Sequence, residues 1–317
     1  MNYKNLYVLG DSLSDTGALL GSLSGLADRK LSLPAPFFQG RSFSDGRLAV
    51  EHVAAKLQLP LQSGWSCRAI ARKSEQIGNN YAVANARASM GTLGIYEFFF
   101  NQFQLKNQLA ALMNHHSIGE DDLFIIMIGS NDLLGVVGGE PGIKLKEAVH
   151  EIGEVLTILA KNKVKHIIVS DAPDIGLIPL FINTPSQTLA TQLTICFNRD
   201  LKVKIDDFSE AYPTVQLKQF DMVGVFADII YLLSNKQYDT THACLSDIAD
   251  HLNVAGLLDI LLKGQLGDVI YTSGCSKEKI CAYTFFDYVH PTQEVHRRVG
   301  EHLYDLIRTK EYVETAI

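Results

Sequence analysis

Short apolar runs alternate with helix-like stretches along most of this chain, and no other feature limits the possible folds as much. The apolar runs are Leu6–Leu9, Leu123–Ile128, Ile167–Ser170 and Val215–Phe220. A run such as Leu123–Ile128, which has no polar residue at alternate positions, is typical of a strand buried on both faces of a parallel sheet. Because the runs alternate with helices, they indicate βαβ units. The sequence therefore predicts an α/β fold around a doubly wound open sheet.

Four helix-like stretches accompany these strands: Leu48–Leu57, Phe103–Met113, Leu145–Leu159 and Leu189–Phe208. The length of 317 residues is compatible with two domains as well as with one large α/β domain. Because no repeat or linker interrupts the pattern, we expect a single domain over residues 1–317, with an irregular insert around residues 226–282. In such sheets the functional site lies at the carboxyl ends of the strands, so the residues directly after each strand are the candidates.

The composition excludes several classes of protein. Apolar residues make up 47% and charged residues 20% of the chain, which excludes low-complexity disorder and can supply a sizeable core. The net charge of −7 argues against a nucleic-acid-binding protein and offers no polybasic anchor for an anionic membrane. No apolar run has the length of a membrane span. The first residues do not resemble a signal peptide, so the chain is expected to be leaderless or a mature product.

The five cysteines are too few for a disulfide scaffold and lack the paired spacing of a zinc site. They are Cys67, Cys196, Cys244, Cys275 and Cys281. Cys275 and Cys281 flank a short polar segment that could close as a disulfide in an oxidising compartment, and ordinary free thiols are the alternative. No cluster of His, Asp and Glu stands out as a ligand set, so neither a metal nor another cofactor is predicted.

The segment Gly10–Gly17 follows the first strand and contains Ser12 and Ser14. A serine between a buried strand and a helix is well placed to act as a nucleophile, because the amides of the helix N-terminus face the developing negative charge. Alternatively, either serine merely caps that helix. The Gly-x-Ser-x-Gly elbow of α/β-hydrolases is absent here, which disfavours that class.

Two further segments carry side chains that could complete such a site. Asn131 follows the strand Leu123–Ile128 and could donate its amide to an oxyanion, although it is also a common turn residue. Pro291 suits the first position of the last helix, which would make His290 its N-cap. Asp287 lies three residues before His290 and could hold the imidazole in one tautomer. A hydroxyl, a base, an orienting carboxylate and an oxyanion donor are the groups that acyl transfer requires.

Four ordered blocks of the sequence resemble those of the GDSL, or SGNH, hydrolase family. They are Gly10–Leu13, Asn80–Ala86, Gly129–Asp132 and Asp287–Thr292. Two connecting segments, Phe43–Arg47 and Ala172–Pro179, are similar to stretches of the lipase branch of that family. The resemblance implies a flavodoxin-like three-layer sandwich with a mainly parallel sheet.

The same resemblance assigns the site residues. It implies Ser12 as the nucleophile, with Asp287 and His290 completing a catalytic triad. It also implies an oxyanion hole made by the backbone N–H groups of Ser12 and Asn85 and by the side-chain amide of Asn131.

The chain departs from the family pattern at three places. Asn85 stands where the second block usually has glycine; Asn is among the best-tolerated residues at φ > 0, so the backbone donor is expected to survive. Phe286 stands where many relatives have Trp. The cysteine pair usual in this branch resembles Cys244 and Cys275, which leaves Cys281 as an extra thiol and the pairing open.

The lipase branch implies a lysophospholipase A or phospholipase A, with an acyltransferase variant, that works through an acyl-Ser12 intermediate. A short-chain carboxylesterase or carbohydrate O-deacetylase is the alternative enzyme, and a catalytically dead binding module is the alternative class. The expected partner is a lipid ester, with transient contact to a membrane surface. The resemblance implies a secreted or periplasmic location, with the leader removed. A cytoplasmic location is expected if the chain never carried a leader. The segment Tyr96–Phe100 could form a lipid-facing lip or pack in the core.

Overall fold

Four parallel strands form the central sheet, in the order β1 (Asn5–Gly10), β2 (Asp122–Met127), β3 (His166–Ser170) and β4 (Gln216–Phe220). The computed structural model describes residues 2–28, 30–65, 78–89, 100–139, 144–246 and 268–309. Strands β1 to β3 are almost entirely buried, as apolar strands covered on both faces should be. The predicted α/β class with a parallel sheet is confirmed, and all four predicted strands match to within two residues.

The described helices flank this sheet in an α/β three-layer arrangement. They are α1 (Ala18–Leu26), α2 (Ala49–Leu57), α3 (Leu105–His115), α4 (Ser130–Val137), α5 (Leu145–Lys161), α6 (Gln187–Ala211), α7 (Met222–Asn235) and α8 (Gln293–Arg308). Helices α2, α7 and α8 pack together in one group, and α3, α4, α5 and α6 form another. Among the described residues, no helix is long and apolar enough to cross a membrane.

The chain reverses its winding direction around β1. Residues 79–83 run along the side of β1 that faces away from β2: Tyr81 N–H donates to Val8 O (2.8 Å) and Val83 N–H to Gly10 O (3.1 Å). The chain then crosses to β2 on the other side of β1. The carboxyl ends of β1 and β2 therefore meet at the topological switch point, where doubly wound sheets form their binding crevice.

Four short strands lie outside the central sheet: β5 (Asp239–Ala243), β6 (Leu245–Ser246), β7 (Ile270–Tyr271) and β8 (Tyr283–Phe285). β5 pairs with β8, and β6 with β7. Most of this region lies in the segment predicted as an irregular insert, and residues 247–267 of it are outside the described residues. The single-domain boundaries stay a prediction.

A disulfide joins Cys244 to Cys275, with 5.3 Å between their Cα atoms. The proposed Cys275–Cys281 loop closure is therefore wrong. Cys244 N–H donates to Phe285 O (3.1 Å) and Thr272 N–H donates to Cys244 O (2.9 Å), so strand pairing brings Cys244 to the turn that carries Cys275. Cys281 is an exposed free thiol, as is Cys196, and Cys67 lies outside the described residues.

The last helix begins later than the sequence predicted. Helix α8 starts at Gln293 with Thr292 as its N-cap residue, so the assignment of Pro291 as first helical residue and His290 as N-cap is wrong. The reason is tertiary: Pro291 forms a β-bridge with Phe285, and the Thr292 hydroxyl donates to Tyr283 O (2.8 Å). These contacts hold the chain extended along β8 before the helix can begin.

Candidate active site

Ser12 lies in a tight turn directly after β1. Ser14 N–H donates to Asp11 O (3.0 Å), and Leu13 N–H donates to the Asp11 carboxylate (3.1 Å). Gly10 allows the close approach of this turn to β2, because a Cβ there would lie 2.4 Å from Met127 O. The half-buried Ser12 is thus presented at the carboxyl edge of the sheet.

Gln108 of α3 fixes the backbone just before that turn, a role that sequence reasoning missed. Its Oε1 accepts the Gly10 N–H (2.8 Å), and its Nε2 donates to Gly10 O (2.7 Å). The side chain is fully buried. A polar residue on the apolar face of the predicted helix Phe103–Met113 was the available signal, since a buried amide needs partners.

Asp287 and His290 lie in the turn between β8 and α8 and come within hydrogen-bond distance of Ser12. His290 Nδ1 lies 2.7 Å from Asp287 Oδ2, and His290 Nε2 lies 2.8 Å from Ser12 Oγ. The other oxygen of Asp287 accepts the N–H groups of Val289 (2.8 Å) and His290 (2.7 Å). Because the carboxylate accepts the Nδ1–H, the lone pair of Nε2 faces the serine hydroxyl.

Aromatic packing fixes the imidazole from one side. The ring of Phe43 stacks on His290 with 5.3 Å between ring centroids and 26° between ring planes. The neighbouring Ser44 hydroxyl donates to Pro291 O (3.0 Å). Phe286, in place of the more usual Trp, is fully buried and contacts Phe37 edge to face. The imidazole of His290 is therefore held in one orientation by packing as well as by the Asp287 carboxylate.

Asn131 and Asn85 lie near each other, and both line the same cavity as Ser12. Gly129 precedes α4 at φ 121°, and a Cβ there would be 2.6 Å from the Phe197 ring, so glycine is required where the chain turns into the helix. Asn131, the second residue of α4, donates one amide hydrogen to Ala86 O (2.9 Å). The amide group has a second hydrogen to donate. Asn85 has φ 65°, the left-handed conformation expected at a position where relatives have glycine.

Two buried titratable groups next to His290 have pKa values shifted in opposite directions. Burial raises the pKa of Asp11 to about 7, partly offset by the N–H of Leu13 and the nearby His290. Burial lowers the pKa of His296 to about 3, assisted by the proximity of His290 and His52. Each has one polar atom without a hydrogen-bond partner among the described residues, Asp11 Oδ2 and His296 Nε2.

A cavity of about 450 Å³ opens beside Ser12 and His290. Its wall also includes the candidate oxyanion residues Asn85 and Asn131. Most of the remaining wall is apolar and comes from several different elements: Leu134, Ile175, Ile178, Met222, Phe226, Phe285 and Val299. The site thus joins polar groups suited to acyl transfer to an apolar space of the size usual for ligand pockets, ~300–1,000 Å³.

Two further predictions from the sequence concerned a lipid-facing apolar segment and metal ligands. Of the possible lip Tyr96–Phe100, only Phe100 is among the described residues, and it is buried. Within the described part of the chain, no group of three or more His, Cys, Asp or Glu side chains is arranged to hold a metal ion.

The sequence matches one family and two curated proteins. The profile of the family described as GDSL-like Lipase/Acylhydrolase matches residues 6–303. The chain is 25% identical over 297 residues to the secreted effector protein SseJ of Salmonella typhimurium. This alignment covers 92% of this chain but 60% of SseJ. It is 24% identical over 322 residues to the phosphatidylcholine-sterol acyltransferase of Aeromonas hydrophila, covering 94% and 88% of the two chains.

Solved structures with a similar arrangement are more distant in sequence. An acetylxylan esterase from Geobacillus stearothermophilus is 13% identical, with 98% of each chain covered and a TM-score of 0.46. A GDSL-like lipase from Parabacteroides merdae, itself described as putative, is 10% identical, with 97% of each chain covered and a TM-score of 0.49.

Proposed function

Since this chain belongs to the GDSL-like lipase/acylhydrolase family, we propose that it is a serine ester hydrolase that releases fatty acid from lysophospholipids or phospholipids. Ser12 is the nucleophile, His290 the general base and Asp287 the carboxylate that orients it. The oxyanion hole consists of the N–H groups of Ser12 and Asn85 and the side-chain amide of Asn131.

The reaction has two steps. Ser12 Oγ attacks the ester carbonyl while His290 Nε2 takes its proton, and the imidazolium returns that proton to the leaving alcohol oxygen. Water, deprotonated by the same nitrogen, then attacks the acyl-Ser12 ester. The imidazolium returns this proton to Ser12 Oγ as the acyl–oxygen bond breaks and the fatty acid is released. Each oxyanion donor stabilises the transition state by about 3 kcal/mol. An acceptor alcohol in place of water would give acyl transfer, the reaction named in the Aeromonas hydrophila relative.

The apolar cavity beside the Ser12–His290 pair is the observation that supports a long acyl group. An acetyl group would leave most of its roughly 450 Å³ unfilled against apolar walls. A sugar would place hydroxyl groups against side chains such as Ile175, Met222 and Phe226, which offer them no hydrogen bonds. Leu180 also borders the cavity and is 40% exposed, which suits transient contact with a lipid surface.

We also propose that the protein acts in a secreted or periplasmic compartment. The Cys244–Cys275 disulfide supports this, because such bonds persist in oxidising compartments. The relative SseJ is named as a secreted effector. Fractionation of the producing cells tests the proposal, and recovery of the protein only from the cytosol would contradict it.

The assignment is tested with Ser12→Ala against Ser14→Ala. Ser14 is buried in the same turn, and among the described residues the Met127 sulfur (3.8 Å) is the one hydrogen-bond partner of its hydroxyl. We expect Ser12→Ala to lose turnover by a factor of ~10⁴ or more, and Ser14→Ala to stay within a few-fold of wild type. A fluorophosphonate probe should label wild type and Ser14→Ala only.

The substrate is tested on a panel of esters. It comprises lysophosphatidylcholine, a diacyl phospholipid, p-nitrophenyl esters of increasing chain length and an acetylated sugar. We expect kcat/KM to be highest for lysophosphatidylcholine and to rise with chain length. A maximum at acetyl esters would instead support the short-chain esterase or O-deacetylase alternative. Absence of both turnover and labelling would support a binding module.

A further inference from the structure

Two buried carboxylates hold the segment 84–89, which contains Asn85, at its two ends. Asp15, three residues after Ser12, forms the first end. Its Oδ2 accepts the N–H of Ala84 (2.8 Å), while its Oδ1 accepts the N–H groups of Gly17 (2.7 Å) and Ala18 (2.5 Å) at the start of α1. One carboxylate therefore joins the turn after β1 to the residue that precedes Asn85.

Asp132, the residue after Asn131, forms the second end. Its Oδ2 accepts the N–H of Ala88 (2.8 Å), and its Oδ1 accepts both the N–H (3.0 Å) and the hydroxyl (2.5 Å) of Ser89. Asp15 and Asp132 are both fully buried. The two carboxylates thus come from the same two segments that carry Ser12 and Asn131, the turn after β1 and the first turn of helix α4. They reach residues 84–89 from opposite ends.

The segment needs such support because it has no helix or strand of its own. Asn85 also has φ 65°, a left-handed conformation that costs a non-glycine residue about 1–2 kcal/mol. The Asn85 N–H lies in the Ala84–Asn85 peptide plane, and the orientation of that plane depends on the neighbouring peptide planes on both sides of it. Charge-assisted bonds to the neighbouring amides are stronger than neutral ones, so they can hold those planes against the backbone strain.

Burying these carboxyl groups is unfavourable by itself. Burial raises the pKa of Asp15 and of Asp132, and the accepted N–H groups only partly offset it. A neutral acceptor would avoid that desolvation cost. However, a single amide oxygen cannot replace two carboxylate oxygens that accept on both sides, because its NH₂ group would face another N–H donor.

We propose that Asp15 and Asp132 form a carboxylate clamp, two positioning residues that aim the Asn85 N–H at the oxyanion. This inference rests on the proposed ester hydrolase activity of Ser12. The clamp residues do not touch the substrate and act through the 84–89 segment. Loss of one clamp oxygen should therefore weaken binding of the transition state while leaving the ground-state ester in place.

The test compares Asp15→Asn and Asp132→Asn with Asp122→Asn. Asp122 is also a buried carboxylate that accepts a backbone N–H, from Gly119 (2.8 Å), but it lies at the opposite edge of the sheet. Functional sites are counted by the endpoint of fluorophosphonate labelling, and kcat is expressed per labelled site. We expect the two clamp variants to lose roughly 10- to 100-fold in kcat with KM within about twofold, because small displacements of catalytic groups cost up to ~10²-fold.

The inhibition constant Ki of a trifluoromethyl ketone distinguishes positioning of the Asn85 N–H from a purely structural role, which would leave this Ki unchanged. Its hemiketal with Ser12 places an oxyanion in the hole, so its Ki should rise in proportion to the loss of kcat/KM in each clamp variant. Asp122→Asn should lower the melting temperature and the fraction of labelled sites, with kcat per labelled site and Ki unchanged. If the clamp variants behave like Asp122→Asn, or if all three lose kcat equally, the proposal is wrong.

Hydrogen–deuterium exchange of the wild type keeps the proposal testable should a clamp variant fail to fold. We expect slow exchange at Ala84 and Ala88, and exchange as fast as in an open loop would overturn the clamp. Failure of the proposed function has a different signature, since the wild type itself would then neither hydrolyse any ester nor bind the ketone. That result would also end this inference.

Discussion

Several residues at this site adopt a backbone conformation or a degree of burial that is unfavourable for their residue type. Asn85 adopts φ 65° where glycine would be unstrained, and Asn is one of the few other residues that tolerates this region. Asp11 and His296 are titratable side chains with buried polar atoms, and burial moves both toward their neutral forms. Residues that break local rules next to a cavity are a feature of functional sites, and here they surround Ser12 and His290.

His296 makes a specific contribution to the pH dependence of stability. Its pKa is lowered to about 3 in the folded protein, whereas an unfolded histidine titrates near ~6.5. Between these values the unfolded chain binds a proton that the folded chain does not, so the free energy of unfolding falls as the pH falls, by ~1.4 kcal/mol per pH unit. In His296→Asn, whose Oδ1 can still accept the Ala49 N–H now bonded to Nδ1, this contribution disappears.

Urea denaturation at pH 7 and pH 5 measures the difference. Wild type should lose roughly 2 kcal/mol more than His296→Asn between these two pH values. The opposing effect of Asp11 is present in both proteins and cancels. His302, exposed on the same helix, supplies the control His302→Asn, which should follow wild type. Equal pH dependence of His296→Asn and wild type would contradict the lowered pKa.

At the level of elements, strand and helix positions follow the local pattern, while their ends follow tertiary contacts. Predicted strands such as Leu6–Leu9 and Ile167–Ser170 were confirmed because apolar runs of that length report burial on both faces. The start of α8 was missed because Pro291 and Thr292 pair with β8 instead of entering the helix. No local signal distinguishes a proline at the first helical position from one held by a neighbouring strand.

The Cys244–Cys275 disulfide is an element-level constraint whose removal should be measurable. The half-cystines are 31 residues apart, for which loop-closure entropy predicts a stabilisation of about 3–4 kcal/mol. The double variant Cys244→Ala/Cys275→Ala should therefore lose about that much free energy of unfolding in urea. Cys196→Ala/Cys281→Ala removes two exposed free thiols and should cost little. A loss of similar size in both double variants would show that the crosslink itself contributes nothing.

At the level of the whole molecule, the cavity exists only where several elements meet. Ala49 of α2, Phe226 of α7, Val299 of α8, Phe285 of β8 and Leu134 of α4 contribute to one wall. None of these elements is adjacent to all the others in sequence. The proposed chain-length preference would therefore depend on how the helices pack over the carboxyl edge of the sheet, and it should respond to filling the cavity at a position far from Ser12 in sequence.

Val299→Phe tests this property. The added ring should occupy part of the cavity and lower the ratio of kcat/KM for a long-chain to that for a short-chain p-nitrophenyl ester, by roughly tenfold or more. Val149→Phe is the matched control, because Val149 is buried in α5 away from the cavity. Both variants should lose ~1–3 kcal/mol of stability from overpacking. An unchanged ratio in Val299→Phe would show that the acyl chain does not bind in this cavity.

The sequence by itself determined the α/β class, the four strands of the central sheet, the positions of helices α2, α3, α5 and α6, and polar residues that follow the strands. Hydrophobic periodicity and turn chemistry are local properties, and each can be read within about ten residues. The same local reading found Ser12 and Asn131 because each follows a buried strand. It found Asp287 and His290 because they come just before the last helix. Gln108, Asp15 and Asp132 were missed as structural supports, since their partners lie on other segments of the chain.

Only the tertiary structure decided which of these residues meet. Ser12 Oγ and His290 Nε2 are 278 residues apart in sequence and 2.8 Å apart in space. The partner of Cys275, the late start of α8 and the walls of the cavity were likewise set by pairing and burial between distant segments. Such contacts depend on the simultaneous packing of the whole core, which no local stretch of sequence encodes.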